Sequence, residues 1–189
     1  MTERIYYHAS PVPDLTILEP RDAGAGPRLY FSAARENTLV YLSNPVERFC
    51  RETGFPWKGP FQKWATYGFD CAGLPVLEEY YPGYFQETFG GVPGYIYSAV
   101  KVPDPRPMRE IPRGYWTDGR VAVEQIEAVP DALAAMEEAA RRGLMRLKSY
   151  DAHPPRVRRW IEETVRREYE AGGGHPEYRA FLRAKFPFL

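Results

Sequence analysis

Ile5-Tyr6-Tyr7-His8-Ala9-Ser10, then a proline-rich turn, then Arg28-Leu29-Tyr30-Phe31-Ser32, is the stretch from which the rest of the chain is read. Both runs are short and aromatic, the pattern of β-strands in a half-buried sheet, with strand one expected over residues 4–8 and strand two over residues 29–32. Between them, residues 11–27 hold four prolines and two glycines, so the segment reads as loop with one extended piece at 15–18. Ser32 stands where a helix N-cap belongs, and residues 33–42 read as a short helix stopped by Ser43-Asn44-Pro45.

Working outward, a second helical turn or two is expected at 46–52, ended by Gly54. Residues 54–94 mix many large aromatics with many Gly and Pro; short strands are expected near 63–69 and 74–80. Tyr95-Ile96-Tyr97-Ser98-Ala99-Val100-Lys101-Val102 is a strong strand pattern, and residues 121–129 read as one further strand. In that strand Val121, Val123 and Gln125 share one face, and Ala122, Glu124 and Ile126 the other. From Pro130 the period becomes helical: Leu133, Met136, Ala140, Leu144 and Leu147 form one stripe. Val157, Ile161, Val165 and Tyr169 form a second, opened by Pro154-Pro155, and Tyr178, Phe181, Leu182 and Phe186 a third, opened by Pro176. The expected architecture is α+β: a split, mostly antiparallel β body over 1–129 and a helical extension over 130–189 packed on it.

The 189 residues are enough for a real core. Lys plus Arg equals Asp plus Glu, so the net charge is zero, which argues against a dedicated nucleic-acid partner. Residues 1–100 carry 8 basic and 11 acidic side chains, and residues 101–189 carry 17 and 14, a mild drift toward a basic end. That basic end has a simple account. On the helix with Arg158, Arg159, Arg166 and Arg167, Glu162 and Glu163 lie four residues from each arginine pair, the spacing of surface ion pairs. Cys50 and Cys71 make neither a CxxC pair nor a disulfide framework. No apolar run approaches a membrane span and no leader pattern opens the chain, so the expectation is a cytoplasmic protein away from membranes. His153 and His175 belong to no metal-spaced group, and no phosphate loop or nucleophile elbow occurs.

His8 is one of three histidines. A histidine satisfying one hydrogen bond in a core explains it, and so does an imidazole that meets the hydroxyls of a ligand, with Ser10 adding a second polar contact. Tyr30 and Tyr41, with ten residues between them, are placed to offer two aromatic faces to a flat ligand. Glu78-Glu79 is an adjacent carboxylate pair whose members point to opposite faces of a strand and so do not share one site.

Tyr7-His8-Ala9-Ser10 followed by Tyr30…Tyr41 resembles the diphtheria-toxin-like branch of the ADP-ribosyltransferase superfamily, which includes the poly-ADP-ribose polymerases. The opening is also similar to that of small bacterial proteins beginning Tyr-His-Gly-Ser or Tyr-His-Ala-Ser. The resemblance covers about forty residues. It implies a split β core and NAD as substrate. His8 would then meet the nicotinamide-side ribose, Tyr30 and Tyr41 would sandwich the nicotinamide, and an arginine such as Arg21 or Arg28 would lie near the diphosphate. The activity implied is mono-ADP-ribosyl transfer, with a protein as candidate acceptor. A catalytic Glu on a late strand completes the pattern; here Asp118 and Glu124 are the carboxylates at that place, and each is equally explained as a turn or surface residue. The alternative is a non-catalytic nucleotide- or protein-binding module on the same fold. The phosphate-gripping basic set of an RNA 2′-phosphotransferase cannot be assembled around His8.

Overall fold

Strand β1 (Tyr6–Ser10) lies inside the main sheet, and the other elements are placed by what they pair with or cover. The computed structural model of the chain describes residues 3–22, 26–57 and 66–189. After β1 come β2 (Ile17–Leu18), β3 (Arg21–Asp22), β4 (Pro27–Ser32), a 3₁₀ helix (Arg35–Tyr41) and α1 (Pro45–Thr53). Then follow β5 (Tyr67–Phe69), β6 (Pro75–Glu78), α2 (Tyr84–Phe89), β7 (Gly94–Ala99), β8 (Arg106–Pro107) and β9 (Gly114–Thr117). The chain closes with β10 (Val121–Ala122), β11 (Gln125–Val129), α3 (Ala132–Arg141), β12 (Arg146–Lys148), α4 (Pro155–Ala171) and α5 (Pro176–Lys185). The fold is α+β, with a mostly antiparallel sheet and C-terminal helices.

Among the described residues, the main sheet runs β11-β7-β1-β4-β9-β8, with β3 paired to β4 as its seventh strand. β1 pairs with β7 along its whole length, from Tyr6↔Ala99 to Ser10↔Tyr95. With β4 it pairs at Tyr7↔Ser32 alone. The far end of β4 pairs instead with β3, at Arg21↔Arg28. The two central strands therefore meet and part, and His8 stands one residue past their meeting point.

Alternation along the strands sorts side chains into two cores. Tyr7, Ala9, Ile96 and Val129 turn to the helical face, where they join Leu39, Val46, Cys50, Met136, Ile161, Val165, Phe181 and Leu182. Tyr6, Leu29, Phe31, Tyr97 and Ala99 turn to the other face, closed by Leu18 and Val121 of the small β2–β10 sheet. Each fully buried side chain of this size contributes roughly 1.5–3 kcal/mol. The larger cluster draws on both sides of residue 130, so the helices complete the core of the sheet.

Local signals explain most element ends. The Asn44 side chain accepts from the amides of Val46 and Glu47, Pro45 opens α1, and Gly54 at φ 70° ends it. Asp131 caps α3 through the Ala134 amide. Pro155 and Pro176 open α4 and α5 as expected.

Five expectations are corrected. The stripe from Leu133 to Leu147 is not one helix, because α3 stops at Arg141. Gly143 adopts φ 72°, its amide bonds the Ala140 carbonyl and the Leu144 amide the Ala139 carbonyl, a Schellman closure. Leu147 then reaches the core from β12, paired in parallel with Leu77 of β6. Residues 121–129 are not one strand either. The Val123 amide bonds Thr16 and the Glu124 amide bonds Ser98, so the chain crosses from the β2 partner to the β7 partner at that point. Ser32 lies in β4 rather than capping a helix, and its Oγ accepts from the Ala34 amide at 3.0 Å, tightening the turn into the 3₁₀ helix that replaces the expected helix over 33–42. α2 and β9 form where no element was expected, and residues 63–65 of the expected strand lie outside the described residues. On α4, Arg158 does not pair with Glu162; it reaches Asp151 at 4.0 Å and lies 5.0 Å from the Tyr150 ring centroid.

Candidate functional site at the parting of β1 and β4

His8 is held between aromatic neighbours. It pairs across β1–β7 with Tyr97, and its ring lies 5.9 Å from that of Phe31. Its Nδ1 is 2.8 Å from the Tyr30 backbone oxygen. A carbonyl oxygen only accepts, so Nδ1 carries the proton. Burial lowers the pKa of His8 below 6.5; the Tyr30 carbonyl pulls it up by less, and the Arg21 charge pushes it down further. The imidazole is then neutral at pH 7, and Nε2 is left as a hydrogen-bond acceptor with no protein partner among the described residues.

The other expected site residues surround this group unevenly. Ser10 is buried, and its Oγ accepts from the Val12 amide at 3.2 Å, so it shapes the turn after β1. Arg21 is exposed on β3, opposite Arg28. Tyr30 is 39% exposed. Adjacent strand residues point to opposite faces, and Phe31 faces His8, so the Tyr30 ring leaves on the other side, in register with Trp116. What meets His8 is the Tyr30 carbonyl and not its ring. Tyr41 is exposed at the end of the 3₁₀ helix, its hydroxyl shared with that of Tyr67 and its ring edge-on to Tyr67 at 5.9 Å. Among the described residues Tyr30 and Tyr41 make no ring contact with each other.

The two candidate carboxylates are kept apart. Asp118 follows β9 and pairs with Arg106 at 3.3 Å. Glu124 sits between β10 and β11, where its Oε1 accepts from the amides of Val100 at 2.9 Å and Lys101 at 3.4 Å and caps the end of β7. In the strand order, β9 lies two strands from β1 on one side and β11 two strands on the other. Two strand spacings are about 10 Å. Neither carboxylate is brought to His8.

Sequence reasoning passed over several pairings that the fold assembles. Arg35 makes a two-pronged pair with Glu127 of β11, Nε to Oε2 at 2.8 Å, and this pairing raises the Arg35 pKa most. Ninety-two residues separate the partners, and no local pattern marks them. The guanidiniums of Arg28 and Arg106 lie 4.5 and 4.6 Å from the Trp116 ring centroid. Arg113 takes φ 59°, a left-handed conformation unusual for a side chain of its size, and it helps line a cleft of about 460 Å³ with Arg4, Tyr7 and Tyr115. Glu78 and Glu79 point apart as expected: Glu78 pairs with Lys148 at 2.7 Å, while Glu79 is buried.

Among the described residues, no three His, Cys, Asp or Glu side chains gather where they could hold a metal ion. No described helix is long and apolar enough to cross a membrane. No family model, curated protein or solved structure matches this chain.

Proposed function

We propose that this chain binds NAD at the parting of β1 and β4, on a split β core of the ADP-ribosyltransferase type. One observation carries the reading. Nδ1–H of His8 is committed to the Tyr30 carbonyl at 2.8 Å, which leaves Nε2 as a neutral acceptor beside the gap between the strands. A ribose hydroxyl is a donor of the right kind for that atom. The exposed ring of Tyr41 offers an aromatic face to the nicotinamide, Tyr30 contributes the carbonyl that orients His8, and the Arg21 guanidinium offers a counter-charge to the diphosphate.

Mono-ADP-ribosyl transfer on this site needs a carboxylate to stabilise the charge that develops as nicotinamide leaves. A second reading, a non-catalytic nucleotide- or protein-binding module, is favoured by a specific observation: Asp118 is paired with Arg106, and Glu124 with two backbone amides. Calorimetric titration with NAD, together with chromatographic assay of free nicotinamide, tests both. The parent protein is expected to bind NAD. The His8→Ala variant should bind it roughly 2- to 12-fold more weakly, the worth of one neutral hydrogen bond. Equal affinity in the variant sinks the His8 placement. NAD binding without nicotinamide release selects the non-catalytic module.

A further inference from the structure

We propose that the cleft between the start of β1 and the Arg113 turn is a binding site for an oxyanion, a phosphate or carboxylate group carried on a small organic molecule. Its volume of about 460 Å³ falls in the range of small-ligand sites. Two arginines, Arg4 and Arg113, and one acidic residue, Glu3, are in its lining, within a chain whose net charge is zero. Planar guanidinium forks match the geometry of carboxylate and phosphate oxygens.

The Arg4 side chain and the Arg113 backbone are both held by the fold. Arg4 donates through Nη1 to the Tyr115 hydroxyl at 2.7 Å, and its guanidinium lies 5.2 Å from that ring's centroid. This contact uses one of five N–H donors. Arg113 sits in a turn closed by the Gly114 amide on the Ile111 carbonyl at 2.9 Å. Its own carbonyl receives the Ala33 amide at 2.8 Å and the Ser32 hydroxyl at 3.3 Å. At φ 59° the position suits glycine, yet an arginine occupies it at the edge of the cleft. Neither Arg4 nor Arg113 forms an ion pair among the described residues. Tyr115, half-buried, lines the same cleft and supplies aromatic surface for the organic part of the ligand.

This site lies at the outer end of the Tyr7↔Ser32 pair, bordered by Ala33, whereas His8 stands at the inner end. It does not rest on the NAD reading. The test is calorimetric titration of the full chain with phenyl phosphate, benzoate, inorganic phosphate and, as a charge control, benzyltrimethylammonium. Saturable binding is expected for phenyl phosphate, for benzoate or for both, and none for the cation. The stronger of the two anions identifies the ligand as a phosphate ester or a carboxylate. Arg113→Gly removes the guanidinium while easing the left-handed backbone, so the variant should melt no lower than the parent and bind the anion about tenfold or more weakly. Arg4→Gln should weaken binding in the same sense. His8→Ala should leave anion binding within about twofold, so that loss of NAD binding and loss of anion binding separate in different variants. The proposal is overturned if neither organic anion binds up to roughly 10 mM, if the cation binds as well as the anions, or if Arg113→Gly binds as the parent does.

Discussion

Replacing Glu79 should loosen the joint between the sheet and the C-terminal helices. Glu79 is 7% exposed and follows β6. Its Oε1 accepts from the Phe85 amide at 3.0 Å and its Oε2 from the Tyr150 amide at 3.0 Å. Its backbone amide donates to Lys148 at 2.9 Å, and its carbonyl lies 3.0 Å from Nε2 of the buried His153. One side chain therefore ties β6 to the first turn of α2, whose cap Gly83 has no side chain to offer, and to the segment leading into α4. Glu79→Ala leaves two amides without their acceptor. At roughly 1–3 kcal/mol per orphaned group, and with Tyr150 half-exposed so that water relieves part of its loss, the cost should be about 3 kcal/mol. For a chain of this size that is about 6–12 °C in Tm. Glu79→Gln keeps one acceptor oxygen and turns an NH₂ toward the other amide, so it should cost about 1–2 kcal/mol. Urea unfolding followed by far-UV circular dichroism would rank the parent above Glu79→Gln and Glu79→Ala lowest. A cost under about 1 kcal/mol for Glu79→Ala, or an inverted order of the two variants, would refute the account.

Two further outcomes are expected. The folded pKa of His8 lies below the unfolded value of 6.5, so the unfolded chain binds more protons between the two values. The stability tied to His8 is thus complete above pH 6.5 and is lost as pH falls toward the folded pKa. An NMR titration of the His8 ring should show a midpoint under 6.5; a midpoint at or above it would contradict the lowering by burial. A chain ended after Val129 should show no cooperative thermal transition by circular dichroism, because Met136, Ile161, Val165, Phe181 and Leu182 share one core with Leu39, Leu77 and Ile96. A sharp transition in that fragment would show that the sheet can close its core without the helices.

The strands at Tyr6–Ser10 and Gly94–Ala99 and the helices opened by Pro155 and Pro176 were legible because their signals are local: aromatic and β-branched runs bounded by proline, or an apolar stripe at helical spacing. The end of α3 was also written in the chain, in Gly143, but a stripe of apolar residues running past it to Leu147 matched the helix equally well. Burial is what both patterns record, and a short parallel strand buries Leu147 as a helical turn would. β9, four residues long, carried too little pattern to be found without its partners.

The amino-acid sequence by itself determined that His8 lies on a strand among aromatics, with Tyr30 on a second strand and Tyr41 on a helical turn. It also settled that carboxylates follow late in the chain. Only the tertiary structure decided what each group meets. The Tyr30 carbonyl, 22 residues from His8, fixes the imidazole proton. Val100 and Lys101 occupy Glu124, and Arg106 occupies Asp118. Arg4 and Arg113 come to one cleft from opposite halves of the sequence. Strand and helix preferences act over a few residues, whereas the pairing of donors with acceptors is set by register and burial across the whole fold, and it is this pairing that leaves His8 Nε2 without a partner among the described residues.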